Sequence, residues 1–288
     1  MTLDPYPQKT FLFGATSIIG WNLFLKDQNK ELLPFCNPFT KIKSTKNWNK
    51  ICLENRNDYE LLFKNYSPLT LIHCGGICDV DNCETDPEWA HKINVQGIEH
   101  LLHFLPKKTR LIYVSSDHVF GHGTQAFNEN SKTCPISVYG KTRVLAEQFI
   151  LQRKNSLILR VGLPIGDSAD KRTGHLNWLQ HRRKNNLPTT IVQDEFRSAV
   201  WANDLANRIM EYAQSSMDGI RHITATQVVS RLNLAEFLNK KFKIKAQLEM
   251  IQRAQKNTPH LGRVELSTLF TDSYAQALPS LLPINPTT

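Results

Sequence analysis

The sequence predicts an α/β protein, a doubly wound parallel sheet that carries a smaller C-terminal α/β lobe. Three observations predict it. Short apolar runs alternate with amphipathic helical stretches through the first half of the 288 residues, as strands and their crossover helices do. A Gly-x5-Gly turn, Gly14 to Gly20, directly follows the first apolar run and opens a helical stretch. Beyond residue 165 the alternation weakens, which divides the chain into a sheet domain over 1–165 and a lobe over 166–288, partly interleaved with it.

In order along the chain, Thr10–Phe13 reads as the first strand and Trp21–Lys26 as the first helix. Leu32–Cys36 is a second strand, Ile51–Leu53 a weak third, and Asp58–Asn65 a short helix. Leu69–His73 is a fourth strand ending at Gly75-Gly76, and Glu88–Leu105 is one long helix. Arg110–Ser115 is the fifth strand, Tyr139–Gln152 a helix and Ser156–Val161 the sixth strand. Gly174–Asn186, Asp204–Gln214 and Asn233–Lys241 read as helices, and Thr190–Val192 and Gly219–Thr224 as strands. The last thirty residues are irregular and proline-rich, a packed tail.

Composition narrows the function classes. Apolar residues make up 41% and charged residues 21%, ordinary for a globular protein. No run of eighteen apolar residues exists, so a membrane span is not expected. MTLDPYPQKT has no basic stretch leading into an apolar segment, so no secretory signal is read and a cytoplasmic protein is expected. The net charge of +9 comes from dispersed basic residues, and the runs at Lys41–Lys50, His181–Lys184 and Lys240–Lys245 are short and hold one aromatic each at most, Trp48 and Phe242. Nucleic acid is therefore not expected, and an anionic substrate or cofactor is the useful reading of the charge. Cys74, Cys78 and Cys83 cluster as C-x3-C-x4-C, which matches neither zinc nor iron–sulfur spacing, so no metal is expected.

The Gly14–Gly20 turn is a physical device for a pyrophosphate. Glycine allows a tight turn and close backbone approach, while a helix N-terminus offers N–H donors and a positive dipole end. Gly14, Thr16, Ser17, Ile18, Ile19 and Gly20 are the candidate binding residues, with Ser17 where a middle glycine is usual. This is a Rossmann-type arrangement for a nicotinamide dinucleotide. The second strand ends in Cys36-Asn37 rather than in an acid, and Lys41 and Lys43 follow shortly after. An acid there would hold the ribose 2′-hydroxyl, so NADP(H) is expected over NAD(H), with Asn37 at the adenosine end.

Ser115-Ser116-Asp117 caps the fifth strand, and Tyr139-Gly-Lys-Thr-Arg143 opens the next helix. Residues i and i+4 share a helix face, so Tyr139 and Arg143 point the same way. A serine hydroxyl and a phenol can together hydrogen-bond one carbonyl oxygen. The phenol then supplies a proton as hydride arrives from the cofactor. A cation on that face is expected to lower the phenol pKa.

These segments, taken in order, resemble the dTDP-4-dehydrorhamnose reductase branch of the extended short-chain dehydrogenase/reductases. That branch also contains the regulatory β subunit of methionine adenosyltransferase. The resemblance runs through Gly14–Gly20, the stretch His73 to Glu84, Ile93-Asn94-Val95, Ser115-Ser-Asp-His-Val-Phe120, Val138-Tyr-Gly-Lys-Thr-Arg143, Leu159-Arg-Val161 and Ser198–Ala206. It implies Ser116 and Tyr139 as the carbonyl-binding pair, with Tyr139 as general acid. It implies Asn94 as the holder of a relay water or of a helix kink. Cys74, Gly75, Gly76 and Ser115 would line the cofactor. His118 would lie near the substrate, and Arg197 would contact a sugar-nucleotide phosphate or else form a surface salt bridge.

Three departures from the family pattern stand out. Tyr-x-x-x-Lys is Tyr-x-x-x-Arg, an Arg-Pro pair near the C-terminus is Thr258-Pro259, and a tyrosine is His118. Lys141 cannot replace the lysine, because i+2 lies on the far side of the helix. The leading expectation is an NAD(P)H-dependent reductase of a 4-keto nucleotide sugar. A non-catalytic, NADP-binding regulatory subunit is the alternative, and a nucleotide-sugar epimerase or dehydratase is the third. The expected partner is the nucleotide-sugar substrate, and a homodimer is the assembly considered.

Overall fold

The computed structural model describes residues 9–282. In chain order the elements are β1 (Thr10–Phe13), α1 (Ile18–Lys26), β2 (Leu32–Cys36), β3 (Asn49–Lys50), α2 (Arg56–Asn65) and β4 (Thr70–His73). Then come α3 (Val80–Thr85), α4 (Pro87–His91), a π-helical turn over Lys92–Gln96, α5 (Gly97–Phe104), β5 (Arg110–Ser116), α6 (Val138–Leu151) and β6 (Ser156–Val161). The remainder is β7 (Leu163–Ile165), α7 (His175–Lys184), β8 (Thr189–Val192), β9 (Phe196–Arg197), β10 (Ala199–Trp201), α8 (Ala202–Gln214), β11 (Gly219–Ile223), β12 (Val229–Ser230), α9 (Arg231–Lys241), β13 (Leu248–Ile251) and β14 (Arg263–Val264).

Seven strands form one parallel sheet in the order β11-β6-β5-β4-β1-β2-β3. The order reverses at β1, which pairs with β2 on one side and β4 on the other, so Phe13 faces Phe35 and His73. A crevice opens outside the carboxyl ends of the strands at such a reversal, and ligands bind there. Both faces of the sheet are covered, which explains why its strands read as apolar runs rather than alternating ones. Leu12, Ile72, Ile112 and Leu159 pack with Leu23 of α1 and Leu205 and Ile209 of α8. Phe11, Phe13, Leu71 and Tyr113 pack on the other face with Tyr59, Leu101, Ala146 and Ile150.

The second lobe has its own core of Ile165, Leu179, Ile191, Leu234 and Leu238. After β7 the chain leaves the sheet, then returns for α8 and β11, and β11 pairs with β6 from Gly219↔Leu157 to Ile223↔Val161. The lobe is therefore drawn from two stretches of chain separated by Ala202–Ile223.

Several expected boundaries are corrected. The third strand lies at Asn49–Lys50, opposite Phe35 and Cys36, not at 51–53. Ile51 still donates its amide to Cys36 at 3.1 Å and is buried, but the chain then turns away toward the Asn55 cap of α2. The helix expected over 88–105 starts at Pro87, behind an Asp86 N-cap, and is interrupted by the π turn. α8 and α9 begin two residues earlier than read, α9 because Ser230 caps it. The C-terminal tail packs through Leu261, Val264, Leu266, Leu278 and Leu281, and its portion 283–288 lies outside the described residues, as does 1–8 of the N-terminal stretch.

Candidate active site

The turn after β1 is built for close approach. Gly14 adopts φ +72°, and a Cβ there would lie 2.4 Å from the Gly75 amide nitrogen. A Cβ on Gly20 would lie 2.2 Å from the Gly14 carbonyl. The two glycines thus let α1 and the end of β4 press against the turn, leaving the first-turn amides of α1 at the crevice. Ser17, which replaces a middle glycine, caps α1: its hydroxyl accepts from the Gly20 amide at 3.0 Å. Thr16 lies in the turn ahead of it, Ile19 packs against the core, and Ile18 lies beneath Gly174 of the second lobe.

At the end of β2 the Asn37 side chain accepts from the Phe39 amide at 2.9 Å, which shapes the loop after the strand. Lys50 on β3 places its Nζ 3.1 Å from Cys36 Sγ at this end. Lys41 and Lys43, singled out in the sequence, are exposed on the loop between.

Tyr139 sits in the first turn of α6, which Ser137 caps by accepting from the Gly140 amide. The tyrosine is 6% exposed and packs edge-on against the His118 ring at 5.1 Å. Ser116, at the end of β5, donates to Asp117 at 3.2 Å and accepts from the His118 amide at 3.3 Å. Burial raises the Tyr139 pKa, and this outweighs the lowering by the Arg143 charge and by hydrogen bonds from Ser116 and Arg143. The expectation that the cation brings the phenol down is thus corrected, because desolvation of the phenolate is the larger effect.

Arg143 is 5% exposed. Its Nη1 donates to the Tyr113 hydroxyl at 2.7 Å and its Nη2 to the Gly75 carbonyl at 3.4 Å. Burial opposes its charge, but the neighbouring Tyr113 and Tyr139 hold it protonated above the usual arginine range. Gly76, at φ +113°, leaves the room that the Asn94 side chain and this guanidinium occupy.

Ser115 does not face the crevice. Successive side chains of a strand point to opposite faces. The Ser115 hydroxyl donates to Glu147 of α6 at 2.5 Å, and Glu147 in turn holds Arg160 of β6 at 2.7 Å. Its side chain is thus engaged in the helix layer. Asn94 lies in the π turn. Its Oδ1 accepts from the Ile77 amide at 2.8 Å, and its Nδ2 donates to the Ile77 carbonyl at 2.9 Å and to Thr142 Oγ1 at 3.0 Å. Both amide donors are used, so Asn94 ties the kinked helix to the loop after β4 rather than donating to a water.

Arg197 is neither free for a phosphate nor a surface residue. It is 3% exposed and grips Asp117 through both Nε, at 2.6 Å from Oδ2, and Nη2, on Oδ1. Its Nη1 reaches Glu195 at 3.2 Å and His118 Nε2 at 3.3 Å. Glu195 also binds Arg231 at 3.2 Å and His260 at 2.9 Å, and Arg231 reaches His175 at 3.2 Å. Burial would raise the Glu195 pKa, but Arg231, His260 and Arg197 hold it well below the carboxylate range. Burial, then Arg197, lowers His118, and burial, then Arg231, lowers His175, so both imidazoles stay neutral. This network joins the lobe to the end of β5. Its members Glu195, Arg231, His175 and His260 went unread because they are far apart in sequence and match no motif.

Among the described residues no group of three or more His, Cys, Asp or Glu is arranged to hold a metal. Burial raises the Cys74 thiol to about 12 and that of Cys83 to about 11, which leaves them protonated. No described helix is long and apolar enough to cross a membrane.

Comparisons with known proteins agree with this fold. The chain is 27% identical over 171 residues to the spore coat polysaccharide biosynthesis protein SpsK of Bacillus subtilis, covering 58% of this chain and 59% of that one. It is 35% identical over 108 residues to the methionine adenosyltransferase 2 subunit beta of Xenopus laevis, covering 37% and 32%. The match thus spans about three-fifths of SpsK and about a third of the Xenopus subunit. In fold it is similar to the dTDP-4-dehydrorhamnose reductase of Bacillus anthracis in complex with NADP, with a TM-score of 0.79 and 20% identity over 95% of both chains. The RmlD substrate binding domain family matches residues 8–280. With nearly the whole chain matched, this protein belongs to the RmlD substrate-binding-domain family.

Proposed function

We propose that this protein reduces the keto group of a 4-keto nucleotide sugar, with NADPH preferred over NADH. The observation that carries the reading is the meeting of Ser116, Tyr139 and Arg143 at the ends of β4 and β5, beside the Gly14–Gly20 turn. The site has polar atoms to spare: Arg143 Nε and His118 Nδ1 are buried without a hydrogen-bond partner. Such orphans are uncommon in a finished core and fit a site that receives a polar ligand.

Gly14 and Gly20 bring the backbone up to a pyrophosphate, and the α1 N-terminus stabilises its charge. The loop after β4, with Cys74 and the two glycines, walls the dinucleotide. Lys50 and the acid-free end of β2 favour a ribose 2′-phosphate. The bound nicotinamide supplies hydride. Ser116 and Tyr139 hold the substrate carbonyl oxygen, and Tyr139, protonated near neutral pH, gives it a proton. Arg143 stays charged beside that oxygen and stabilises the negative charge that develops on it.

Tyr139→Phe is expected to cut carbonyl reduction by about 10²–10⁴-fold while NADPH affinity stays within a few-fold. A panel of dTDP-, UDP- and GDP-linked 4-keto sugars is the assay. Turnover that survives in Tyr139→Phe overturns the role of that residue. In calorimetric titration NADPH should bind more tightly than NADH by about 1–3 kcal/mol, the worth of a charge-assisted hydrogen bond. Equal affinities remove the cofactor preference.

One observation favours a second reading, a cofactor-binding regulatory subunit without turnover. The Nη donors of Arg143 are engaged by Tyr113 and Gly75, whereas the family lysine is an ammonium with freely rotating donors. Wild-type protein that binds NADPH yet leaves the whole sugar panel untouched selects this reading. A dehydratase is disfavoured, because Asp117, its candidate extra acid, is fully buried with both oxygens on Arg197.

A further inference from the structure

The Arg143 guanidinium is enclosed between two phenols. Its carbon lies 5.1 Å from the Tyr139 ring centroid and 5.6 Å from that of Tyr113. It therefore meets both tyrosines through their ring faces, yet its short hydrogen bond goes to one of them, the Tyr113 oxygen at 2.7 Å. Tyr113 is completely buried in the middle of β5, where a phenylalanine would fill nearly the same space. The oxygen is what distinguishes the two, and Arg143 is its hydrogen-bond partner. A charged donor placed on a phenolate oxygen stabilises it far more than a charge above the ring does. Which oxygen holds the Nη1 donor thus bears directly on the protonation of the reacting residue.

We propose that Tyr113 is a positioning residue for the reacting phenol: by taking the short hydrogen bond from Nη1 it limits the guanidinium's hydrogen bonding to the Tyr139 oxygen. This rests on the reading of Tyr139 as the proton donor. The remaining groups facing Tyr139 do not replace that control. Ser116 on β5 is neutral, and His118 in the turn after it is held neutral by burial and Arg197. Cys83 of α3 packs against the ring with its thiol protonated, and Ala90 of α4 brings no charge. Cys78, in the loop after β4, carries no positive charge in either state. His73 of β4 packs against Tyr113 with tilted rings, centroids 5.6 Å apart, and is kept neutral by burial and by Arg143. Arg143 is the one cation that bears on the phenol from this set; its Nη groups bond Tyr113 at 2.7 Å and Gly75 at 3.4 Å, and its remaining hydrogen bonding lowers Tyr139 less than burial raises it.

The direction follows. Without the Tyr113 hydroxyl, Nη1 is a buried donor in need of an acceptor, and an ionised Tyr139 oxygen becomes that acceptor. Tyr139 then ionises at lower pH. Since a general acid works in its protonated form, the alkaline fall in rate moves to lower pH with it.

The test follows tyrosinate absorbance through alkaline pH, within the range where circular dichroism shows the fold intact. Wild type is compared with Tyr139→Phe, and Tyr113→Phe with the double variant, so that each difference isolates Tyr139. The expected result is a Tyr139 midpoint about one pH unit lower in the Tyr113→Phe background, the size of shift a newly paired charge produces. An unchanged or higher midpoint overturns the proposal. Should Tyr113→Phe not fold, Arg143→Lys asks the same question, because a single rotating ammonium replaces the fork that Tyr113 and Gly75 hold. It too should lower the midpoint, and a midpoint that stays or rises overturns the proposal. The titration needs neither substrate nor turnover. An inert enzyme with a shifted midpoint keeps the control of Tyr139 ionisation and removes the reductase reading, and an active enzyme with an unmoved midpoint does the reverse.

Discussion

Single residues carry the steric demands of this site. Gly14 combines a left-handed φ with a neighbouring strand end so close that a methyl group would meet the Gly75 backbone at 2.4 Å. Neither strain can be relieved by a side-chain movement, because the obstacle is main chain. Gly14→Ala should therefore lower unfolding free energy by about 1–3 kcal/mol, the cost of a disfavoured backbone conformation, and abolish NADPH binding. Urea unfolding and cofactor titration check the two parts, and a variant with wild-type stability and affinity would show that the turn is not the binding device. Gly14, Gly20, Ser116 and Tyr139 were legible in the sequence because each belongs to a short motif with a fixed geometry. The direction of Ser115 was not: whether a strand residue faces the crevice or the helix layer depends on where the strand ends.

At the scale of elements, the helix after α4 shows how a local pattern can hide a junction. Its sequence reads as one continuous helix, yet a π turn at Lys92–Gln96 turns Asn94 toward the loop after β4. There its side chain satisfies both the amide and the carbonyl of Ile77 and reaches Thr142 of α6. Asn94→Ala strips those partners from buried or half-buried groups, and each unsatisfied group costs about 1–3 kcal/mol. The expected outcome is a loss of stability of that order with the midpoint of Tyr139 ionisation unchanged. A variant that is fully stable yet catalytically dead would instead restore the water-relay role. The π turn itself was invisible to periodicity, because one inserted residue preserves the amphipathic pattern on either side.

At the scale of the whole molecule, the two lobes meet across a charged and imidazole-rich interior. Burial holds His73 down to about 3 and His222 to about 4, and it holds His118 and His175 well below the usual value. In the unfolded chain each imidazole titrates near about 6.5. As the pH falls through that value the unfolded state takes up protons that the folded state refuses, so stability falls with pH. The contribution is fully present above about pH 6.5 and is lost progressively toward about pH 4. The depressed Glu195 adds a loss in the same direction at more acid pH, while Asp117, raised by burial, opposes it there. Urea midpoints should drop markedly between about pH 7.5 and about pH 5. A flat profile over that window would mean that the imidazoles are not shielded from water as described.

The sequence by itself determined the parallel α/β class, the Gly14–Gly20 turn and the Tyr139–Arg143 helix face. All three depend on interactions between residues close in the chain: strand periodicity, a glycine turn beside a helix N-terminus, and i,i+4 spacing. Tertiary structure decided what those residues do in company. It paired Arg143 with Tyr113 thirty residues away, closed Arg197 onto Asp117 across the lobe boundary, and drew α8 and β11 back onto the first sheet. It also set the direction of the Tyr139 shift, since burial is a property of the packed molecule and here exceeds the pull of the neighbouring cation.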